Sequence, residues 1–303
     1  MATTGIYWCL VLTECLSLVT CASLVQTIPP YPTPVCPGGR LVLTCTASTN
    51  GVVRWIGDSG THAISSNGTP IMVDSFNVTA TLVDGATVSY ATNESVPVQL
   101  NKTTVSCSDK DNGELIYSVV TIYITDIQEA VTNVEIDPID SNTLIINWNG
   151  SELCIDHYNV TINSNNTLNE SRTTNDTNIT IDTLIVGTNY SFIIIPIDTI
   201  GREGPPSSLI QYIWNVPAQV VNISWYQIST DSITIWWNNN EDSTIPHPPT
   251  QYYIINVYNT SNSINTNNTN VTITGLPLAD TNYTVTIIPV NVIGYGPSVT
   301  VNA

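Results

Sequence analysis

The stretch TNYSFIIIPIDTIGREGP, Thr188–Pro205, returns near the end of the chain as TNYTVTIIPVNVIGYGP, Thr281–Pro297. In both copies a Tyr is followed six residues later by Pro and eleven residues later by Gly, and a Gly-Pro pair closes the stretch. A period of roughly ninety residues is too long for a solenoid unit and has the size of a whole domain. The sequence therefore predicts two copies of one module, a first repeat at 128–215 and a second repeat at 216–303.

Short runs rich in Val, Ile, Thr and Tyr alternate along the chain with clusters of Asn, Gly, Pro and Asp. Thr143–Trp148, Tyr158–Ile162 and Tyr190–Ile195 are examples. Short strands separated by turn residues in this way are typical of antiparallel sandwiches. The sequence predicts an all-β chain of three antiparallel β-sandwich domains in tandem, at 27–127 and in the two repeats.

The chain carries unusually little charge, and most of that charge is negative. Lys and Arg number 6 against 24 Asp and Glu, the net charge is -18, and only 10% of the residues are charged. About 25% is usual for a soluble domain. Such a surface has no basic footprint for nucleic acid, heparin-like chains or anionic lipid, so these partners are excluded.

Asn-X-Ser/Thr sequons are frequent, and together they predict a glycosylated surface and passage through the secretory pathway. The predicted acceptors are Asn67, Asn77, Asn93, Asn101, Asn149, Asn159, Asn165, Asn169, Asn175, Asn178, Asn189, Asn222, Asn259, Asn267, Asn270 and Asn282.

The N-terminal segment 1–23 is interpreted as a secretory signal. An apolar stretch, Ile6–Ala22, ends in small residues, although Glu14 interrupts it and no Lys or Arg precedes it. The alternative is an N-terminal anchor or a buried strand, but a stretch this short that contains a Glu would span a bilayer poorly. No other run approaches eighteen apolar residues, so no membrane span is predicted in the rest of the chain.

Residues 27–127 resemble an immunoglobulin-like domain. The resemblance is carried by PGGRLVLTC at Pro37–Cys45, by Trp55 ten residues after Cys45, and by Cys107. It implies a Cys45–Cys107 disulfide between the two sheets with Trp55 packed against it. Val105 stands where the family has the tyrosine of its corner motif, so the subclass stays open.

The two repeats resemble fibronectin type III domains over nearly their whole length. The resemblance is carried in the first repeat by Trp148, Tyr158, Leu184, Tyr190 and Gly204-Pro205. In the second repeat it is carried by Trp237, Tyr253, Leu276, Tyr283 and Gly296-Pro297. It implies that the tryptophans fill the space between two sheets and that the second tyrosine of each repeat buries its ring. These residues are therefore interpreted as structural.

Four cysteines remain once the signal is removed: Cys36, Cys45, Cys107 and Cys154. An even count in an oxidising compartment indicates disulfides. Cys36 precedes a turn predicted at the end of its domain where the chain exits, and Cys154 lies in a loop where the chain enters the first repeat. We therefore predict a Cys36–Cys154 disulfide that restrains the hinge at 126–130. A buried free thiol at each site, or Cys154 pairing with another chain, are the alternatives.

No catalytic motif is present, and no cofactor or metal site is predicted. The chain has no nucleophile elbow, P-loop or zincin motif, and its three His are scattered singly. The acidic stretch Asp109–Glu114 faintly resembles a calcium loop but is too short for an EF-hand, so a polar hairpin turn is favoured.

The resemblance implies extracellular recognition or adhesion without catalysis, as in the ectodomains of adhesion molecules and receptors. The expected partner is an extracellular protein or a second copy of the chain, and the expected location is secreted or at the cell surface. Two alternatives stay open. One is a structural matrix glycoprotein without a discrete receptor, and the other is the ectodomain of a receptor phosphatase or kinase.

The second repeat offers two candidate contact faces. Alternation with period two points Tyr253, Ile255 and Val257 inward. The alternate residues of the same sheet then point outward, and further aromatic residues lie near the opposite sheet. The candidate residues are Ile254, Tyr258 and Ile288 on the first sheet, and Trp225 and Trp236 near the second. The alternative is partial burial of these side chains against loops or the neighbouring module.

Overall fold

The computed structural model of the chain describes residues 22–47, 51–109, 118–126, 128–150, 153–165, 169–241, 244–258, 263–276 and 282–302. Regular structure within them is β-strand, apart from a 3-10 turn at Val98–Leu100. The chain divides into two compact units, Met1–Thr125 and Asp126–Ala303. Its sheets are built from antiparallel pairs of short strands, which confirms the predicted all-β class of tandem sandwiches.

The first unit contains two sheets with one hydrophobic core between them. Its described strands are β1 (Ser23–Ile28), β2 (Leu41–Thr46), β3 (Val52–Gly57), β4 (Gly60–Ser65), β5 (Ile71–Val73), β6 (Phe76–Val83), β7 (Ala86–Asn93), β8 (Thr104–Ser108) and β9 (Ser118–Thr121). One sheet has the order β1-β2-β7-β6-β5 and the other β4-β3-β8-β9. β1 begins ahead of the predicted domain start at 27, because Leu24 already belongs to the core.

A disulfide and a tryptophan join the two sheets of this unit. Cys45 on β2 is bonded to Cys107 on β8, with their Cα atoms 6.4 Å apart. Trp55 on β3 is the Cα partner of Cys107 and is fully buried. Its Nε1 donates to Ser89 Oγ at 2.9 Å, so the buried indole N–H is satisfied. Val105, at the position of the missing tyrosine, is buried in the same core.

The second unit contains the two repeats, and each has its own hydrophobic core. The first repeat has β10 (Thr132–Pro138), β11 (Leu144–Asn149), β12 (Ile155–Ser164), β13 (Asn169–Thr174), β14 (Asn178–Ile181), β15 (Thr188–Asp198) and β16 (Ile210–Trp214). The second has β17 (Val221–Ser229), β18 (Ser232–Asn238), β19 (Tyr252–Val257), β20 (Ser263–Thr266), β21 (Asn270–Ile273), β22 (Thr284–Val290) and β23 (Val299–Asn302).

The strand order is the same in both repeats. The three-stranded sheet β10-β11-β14 corresponds to β17-β18-β21, and the four-stranded sheet β13-β12-β15-β16 corresponds to β20-β19-β22-β23. The internal sequence repeat therefore encodes two copies of one sandwich topology.

One aromatic pair recurs in both cores. Trp148 and Tyr158 meet edge to face with ring centroids 5.3 Å apart, and Trp237 and Tyr253 do so at 5.1 Å. Edge-to-face contact is a preferred geometry because the positive edge of one ring meets the negative face of the other. Tyr190 is buried and its hydroxyl accepts a backbone N–H, whereas Tyr283 is only half-buried.

A glycine lies at the same place in each repeat because the backbone passes too close for a side chain. A Cβ on Gly204 would lie 2.8 Å from the carbonyl oxygen of Gln128, and one on Gly296 would lie 2.4 Å from that of Pro217. Gln128 and Pro217 precede the first strand of their repeats. The Gly-Pro pair that closes the repeated stretch thus lets the incoming chain pack against the sandwich.

Asp198 is a buried carboxylate at the end of β15, two residues after the repeated Pro of the first repeat. It accepts the backbone N–H groups of Ile200 at 3.1 Å and Arg202 at 2.8 Å, and the guanidinium Nε of Arg202 at 2.6 Å. Burial by itself would raise the pKa of Asp198, but the hydrogen bonds from Arg202 and Ile200 outweigh it and lower that pKa below its usual value.

Asn291 takes the same position in the second repeat and is also buried. Its Oδ1 accepts two backbone N–H groups of the following turn, as the carboxylate does in the first repeat. Its Nδ2 donates to the carbonyl oxygens of Asn215 at 2.9 Å and Pro248 at 3.2 Å. Ile213 N–H also donates to the carbonyl oxygen of Pro246, at 2.9 Å. The segment that joins the repeats is therefore held by hydrogen bonds to the second repeat.

Candidate recognition surface

Strand β19 turns one side to the core and the other outward. Tyr253, Ile255 and Val257 belong to the core of the second repeat. Ile254 lies on the outward side, where its Cα partner across β22 is Ile288, and both are half-buried. Two isoleucines thus stand side by side on the outer surface of this sheet.

Tyr258 continues the outward row one step beyond the end of β19. Its side chain is 71% exposed, while its backbone N–H donates to the carbonyl oxygen of Thr284 at 2.8 Å. Thr286 and Thr300, further across the same sheet, share a hydrogen bond of 3.0 Å between their hydroxyls. Strands β19, β22 and β23 contain no charged residue. We call Ile254, Ile288 and Tyr258 the isoleucine face.

Trp225 and Trp236 lie on opposite sides of the three-stranded sheet, so they do not form one surface. Trp225 is paired with the core residue Ile235, yet it is 45% exposed because β17 is an edge strand. Trp236 points outward, 37% exposed, with its ring centroid 5.4 Å from that of Tyr226. We call Tyr226 and Trp236 the aromatic face.

The first repeat carries asparagines at two outward positions where the second carries Ile254 and Trp236, and one of these asparagines, Asn159, heads a sequon. Asn159 is paired with Ile195 on the outward side of β12, in the place that Ile254 and Ile288 take in the second repeat. The other outward pair is Asn147 with Asn178 in the first repeat and Trp236 with Asn270 in the second. Sequence reasoning missed these correspondences, although counting from the core Trp and Tyr of each repeat reveals them.

The sequons differ in how accessible the structure leaves them. Asn101 and Asn159 are half-buried, and Asn259 lies outside the described residues. The exposed acceptors are Asn67, Asn77, Asn149, Asn165, Asn169, Asn175, Asn178, Asn189, Asn222, Asn267, Asn270 and Asn282. Occupancy of these sites stays a prediction.

Asn93 is the acceptor that the structure argues against. It ends β7 on the buried side of the strand, where Thr87, Ser89 and Ala91 are also buried. Its Nδ2 donates to the carbonyl oxygen and the hydroxyl of Ser75, at 3.0 and 3.1 Å. The nitrogen that a glycan would occupy is therefore already enclosed, and we remove Asn93 from the predicted set.

Both remaining cysteines are oxidised. Cys36 and Cys154 are each disulfide-bonded, so a free thiol at either position is excluded. Their pairing with each other stays a prediction, which peptide mapping under non-reducing conditions would test.

Other predicted features meet the described part of the chain only partly. Of the acidic stretch Asp109–Glu114 the structure describes Asp109, and nearly all of the 1–23 segment lies outside the described residues. In the part that is described, no group of three or more His, Cys, Asp and Glu side chains could hold a metal ion. The same residues include no helix with the length and apolar character needed to cross a membrane.

Comparison with known proteins gives one family match. Residues 129–212 match the model of the fibronectin type III domain. This interval lies within the first repeat. No curated protein matches the chain in sequence.

Two of the solved structures that resemble this chain are as follows. A two fibronectin type III domain segment from chicken tenascin is 18% identical, with a TM-score of 0.29, and covers 59% of this chain and 99% of its own. The FN1–FN3 domains of chicken CNTN1 are 11% identical, with a TM-score of 0.33, and cover 94% of this chain and 98% of their own.

Proposed function

We propose that this chain is a non-catalytic extracellular protein that recognises another protein. It is built from an immunoglobulin-like domain at 27–127 and two fibronectin type III-like domains at 128–215 and 216–303. The family match at 129–212 and the disulfide between Cys45 and Cys107 support this proposal, because disulfides persist in oxidising compartments. The sequons and the scarcity of charge agree with a secreted or cell-surface location.

The contact surface is the isoleucine face of the second repeat. One observation carries this assignment: the outward apolar pair Ile254 and Ile288 replaces a sequon-bearing position of the first repeat, Asn159. An apolar patch beside an exposed tyrosine is the composition that buried centres of protein interfaces favour. A face without charge also predicts binding that is insensitive to salt.

Glycan transplantation tests this assignment. The double substitution Ile254→Asn with Asn256→Thr recreates the Asn159-Val160-Thr161 sequon of the first repeat on the isoleucine face. The matched control is Ile254→Asn alone, which makes the same polar change without an acceptor site. Each protein, secreted from cells, is passed over a panel of immobilised cell-surface ectodomains that includes the chain itself.

The wild-type protein is expected to bind at least one member of the panel, with the chain itself as the homophilic case. The double variant should lose that binding at least tenfold, because a sugar on Ile254's position excludes any flat partner. The single variant should bind more weakly than wild type and better than the double variant. Equal binding by wild type and the double variant would show that the isoleucine face is not the contact surface. If the wild-type protein bound no member of the panel, the proposed recognition function would itself be wrong.

A further inference from the structure

Asn270 on β21 lies directly opposite Trp236 on β18, on the outer side of the three-stranded sheet. The two residues are Cα partners, and the neighbouring pair, Thr234 and Thr272, share a hydroxyl hydrogen bond of 2.9 Å on that side. Side chains directly opposite each other in an antiparallel pair have Cβ atoms about 4.5–5.5 Å apart. The Asn270 side chain, which is exposed and heads an Asn-Val-Thr sequon, therefore stands beside the indole ring.

Trp236 does not stand alone there. The Tyr226 ring is 5.4 Å from it, at an interplanar angle of 56°, and Tyr226 is 52% exposed. Two large rings held together at the surface present an apolar platform that the fold does not use, since the core tryptophan is the neighbouring Trp237. The faces of such rings carry negative charge density, which attracts groups that present C–H bonds.

The first repeat has the same acceptor position without the platform. Its sequon Asn178 is the Cα partner of Asn147, whose Nδ2 donates to Asp137 on β10. One repeat thus sets a sequon beside a polar, acidic surface, and the other sets it beside two aromatic rings. The pair supplies an internal comparison on a single topology.

We propose that the first sugars of an N-glycan on Asn270 pack against Trp236 and Tyr226, so that the aromatic face is covered by the chain's own carbohydrate. Attachment joins C1 of the first N-acetylglucosamine to Asn270 Nδ2, and the lipid pyrophosphate of the oligosaccharide donor leaves with the displaced proton. A pyranose exposes axial C–H bonds on one side and hydroxyls at its rim. Packing that side on the rings shields apolar surface while the hydroxyls stay in water.

The inference rests on passage through the secretory pathway and does not depend on partner recognition. It assigns the aromatic face to carbohydrate and leaves the isoleucine face, on the other sheet, for protein. Failure of either assignment can be observed without the other, because the two faces carry different residues and are read by different measurements.

Hydroxyl-radical footprinting with mass spectrometry tests the contact. Wild type, Asn270→Gln and Asn178→Gln are secreted from the same cells, and oxidation is quantified at Trp236, Tyr226 and Trp225. Trp236 is 37% exposed without a glycan, and a sugar packed on its open side would cover much of that surface, so Asn270→Gln should raise Trp236 oxidation about twofold. Asn178→Gln should leave it unchanged, and Trp225, on the opposite side of the sheet, should respond to neither variant.

Trp236→Asn, which copies Asn147 of the first repeat, gives a second measurement. It should leave Asn270 occupied but let a native-condition glycosidase release that glycan as fast as the one on Asn178, whereas wild type releases it more slowly. Two results would overturn the proposal: an unoccupied Asn270 in the secreted protein, or Trp236 oxidation that is equal with and without the glycan.

Discussion

The two repeats share one interior and present two different exteriors. Both have the Trp and Tyr pair at nearly the same separation, and their described strands follow the same order. Their outward positions diverge: Asn159 against Ile254, and Asn147 against Trp236. Inward positions are constrained by close packing, whereas outward positions can exchange sugar acceptors for apolar groups without changing the fold. Surface chemistry is thus where the copies have specialised.

The largest expected effect comes from emptying the shared interior. Trp148→Ala and Trp237→Ala should each lower the free energy of unfolding of their own repeat by about 3–5 kcal/mol, because each leaves a cavity between the sheets. Chemical denaturation monitored by hydrogen exchange would show which of the two repeats unfolds. The matched control is Trp236→Ala, one residue from Trp237 but outward, which should change stability by no more than about 0.5 kcal/mol. Similar losses for Trp236 and Trp237 would contradict the assignment of inward and outward faces.

A smaller effect should follow from adding a methyl group at the shared close approach. Gly204→Ala and Gly296→Ala should each destabilise by about 1–3 kcal/mol, since the new Cβ meets a backbone oxygen that cannot move aside freely. The closer approach at Gly296, 2.4 Å against 2.8 Å, predicts the larger loss in the second repeat. Thermal unfolding of both variants would measure the difference, and a neutral result at Gly296 would show that the incoming strand is not held there.

The smallest predicted effect is a difference between the two repeats in how their stability depends on pH. The pKa of Asp198 is lowered in the folded state, so the carboxylate contributes stability above its unfolded pKa of about 3.9, and this contribution disappears as pH falls through the lower folded value. Asp198→Asn should therefore reduce stability at pH 7 and flatten its decline below about pH 4. Denaturation midpoints of the first repeat between pH 2 and 7 would record this.

Asn291→Asp is the reciprocal variant, and the pKa of its new carboxyl should be raised, where that of Asp198 is lowered. A carboxylate there would face the carbonyl oxygens of Asn215 and Pro248 in place of donating to them. Burial beside two acceptors favours the protonated form, so the loss of stability should be greater at pH 7 than in acid. If Asn291→Asp were as stable as wild type at pH 7, or lost more stability in acid, the turn of the second repeat would accept a carboxylate as the turn of the first repeat does.

Much of the interior could be predicted from sequence, because its signals are residue spacings and periodic patterns that can be read without the structure. The spacing of Cys45, Trp55 and Cys107 resembles that of an immunoglobulin-like domain, and the period-two pattern of β19 lies within one short stretch. The outward register was harder to foresee. A bulge between Val221 and Ser224 shifts β17 against β18, which separates Trp225 from Trp236.

Asn93 shows a second limit. Thr87, Ser89 and Asn93 are on the buried side of β7. Because these residues are polar, the sequence alone does not show that this side of the strand faces the core. These polar groups are satisfied by partners distant in sequence, such as Trp55 for Ser89 and Ser75 for Asn93. A sequon motif carries no information about such partners, and burial decides whether its nitrogen is accessible.

The buried amide of Asn291 has a mechanical consequence. A free linker between two domains stretches as an entropic spring and takes up slack before either domain feels tension. Here the carbonyl oxygen of Asn215 accepts a hydrogen bond from the side chain of Asn291, which directly follows β22. The N–H of Ile213 donates a hydrogen bond to the carbonyl oxygen of Pro246. Force applied to the first repeat is therefore transmitted to the end of β22 without prior extension of a linker. A partner bound to the outer surface of that strand would be subject to this force.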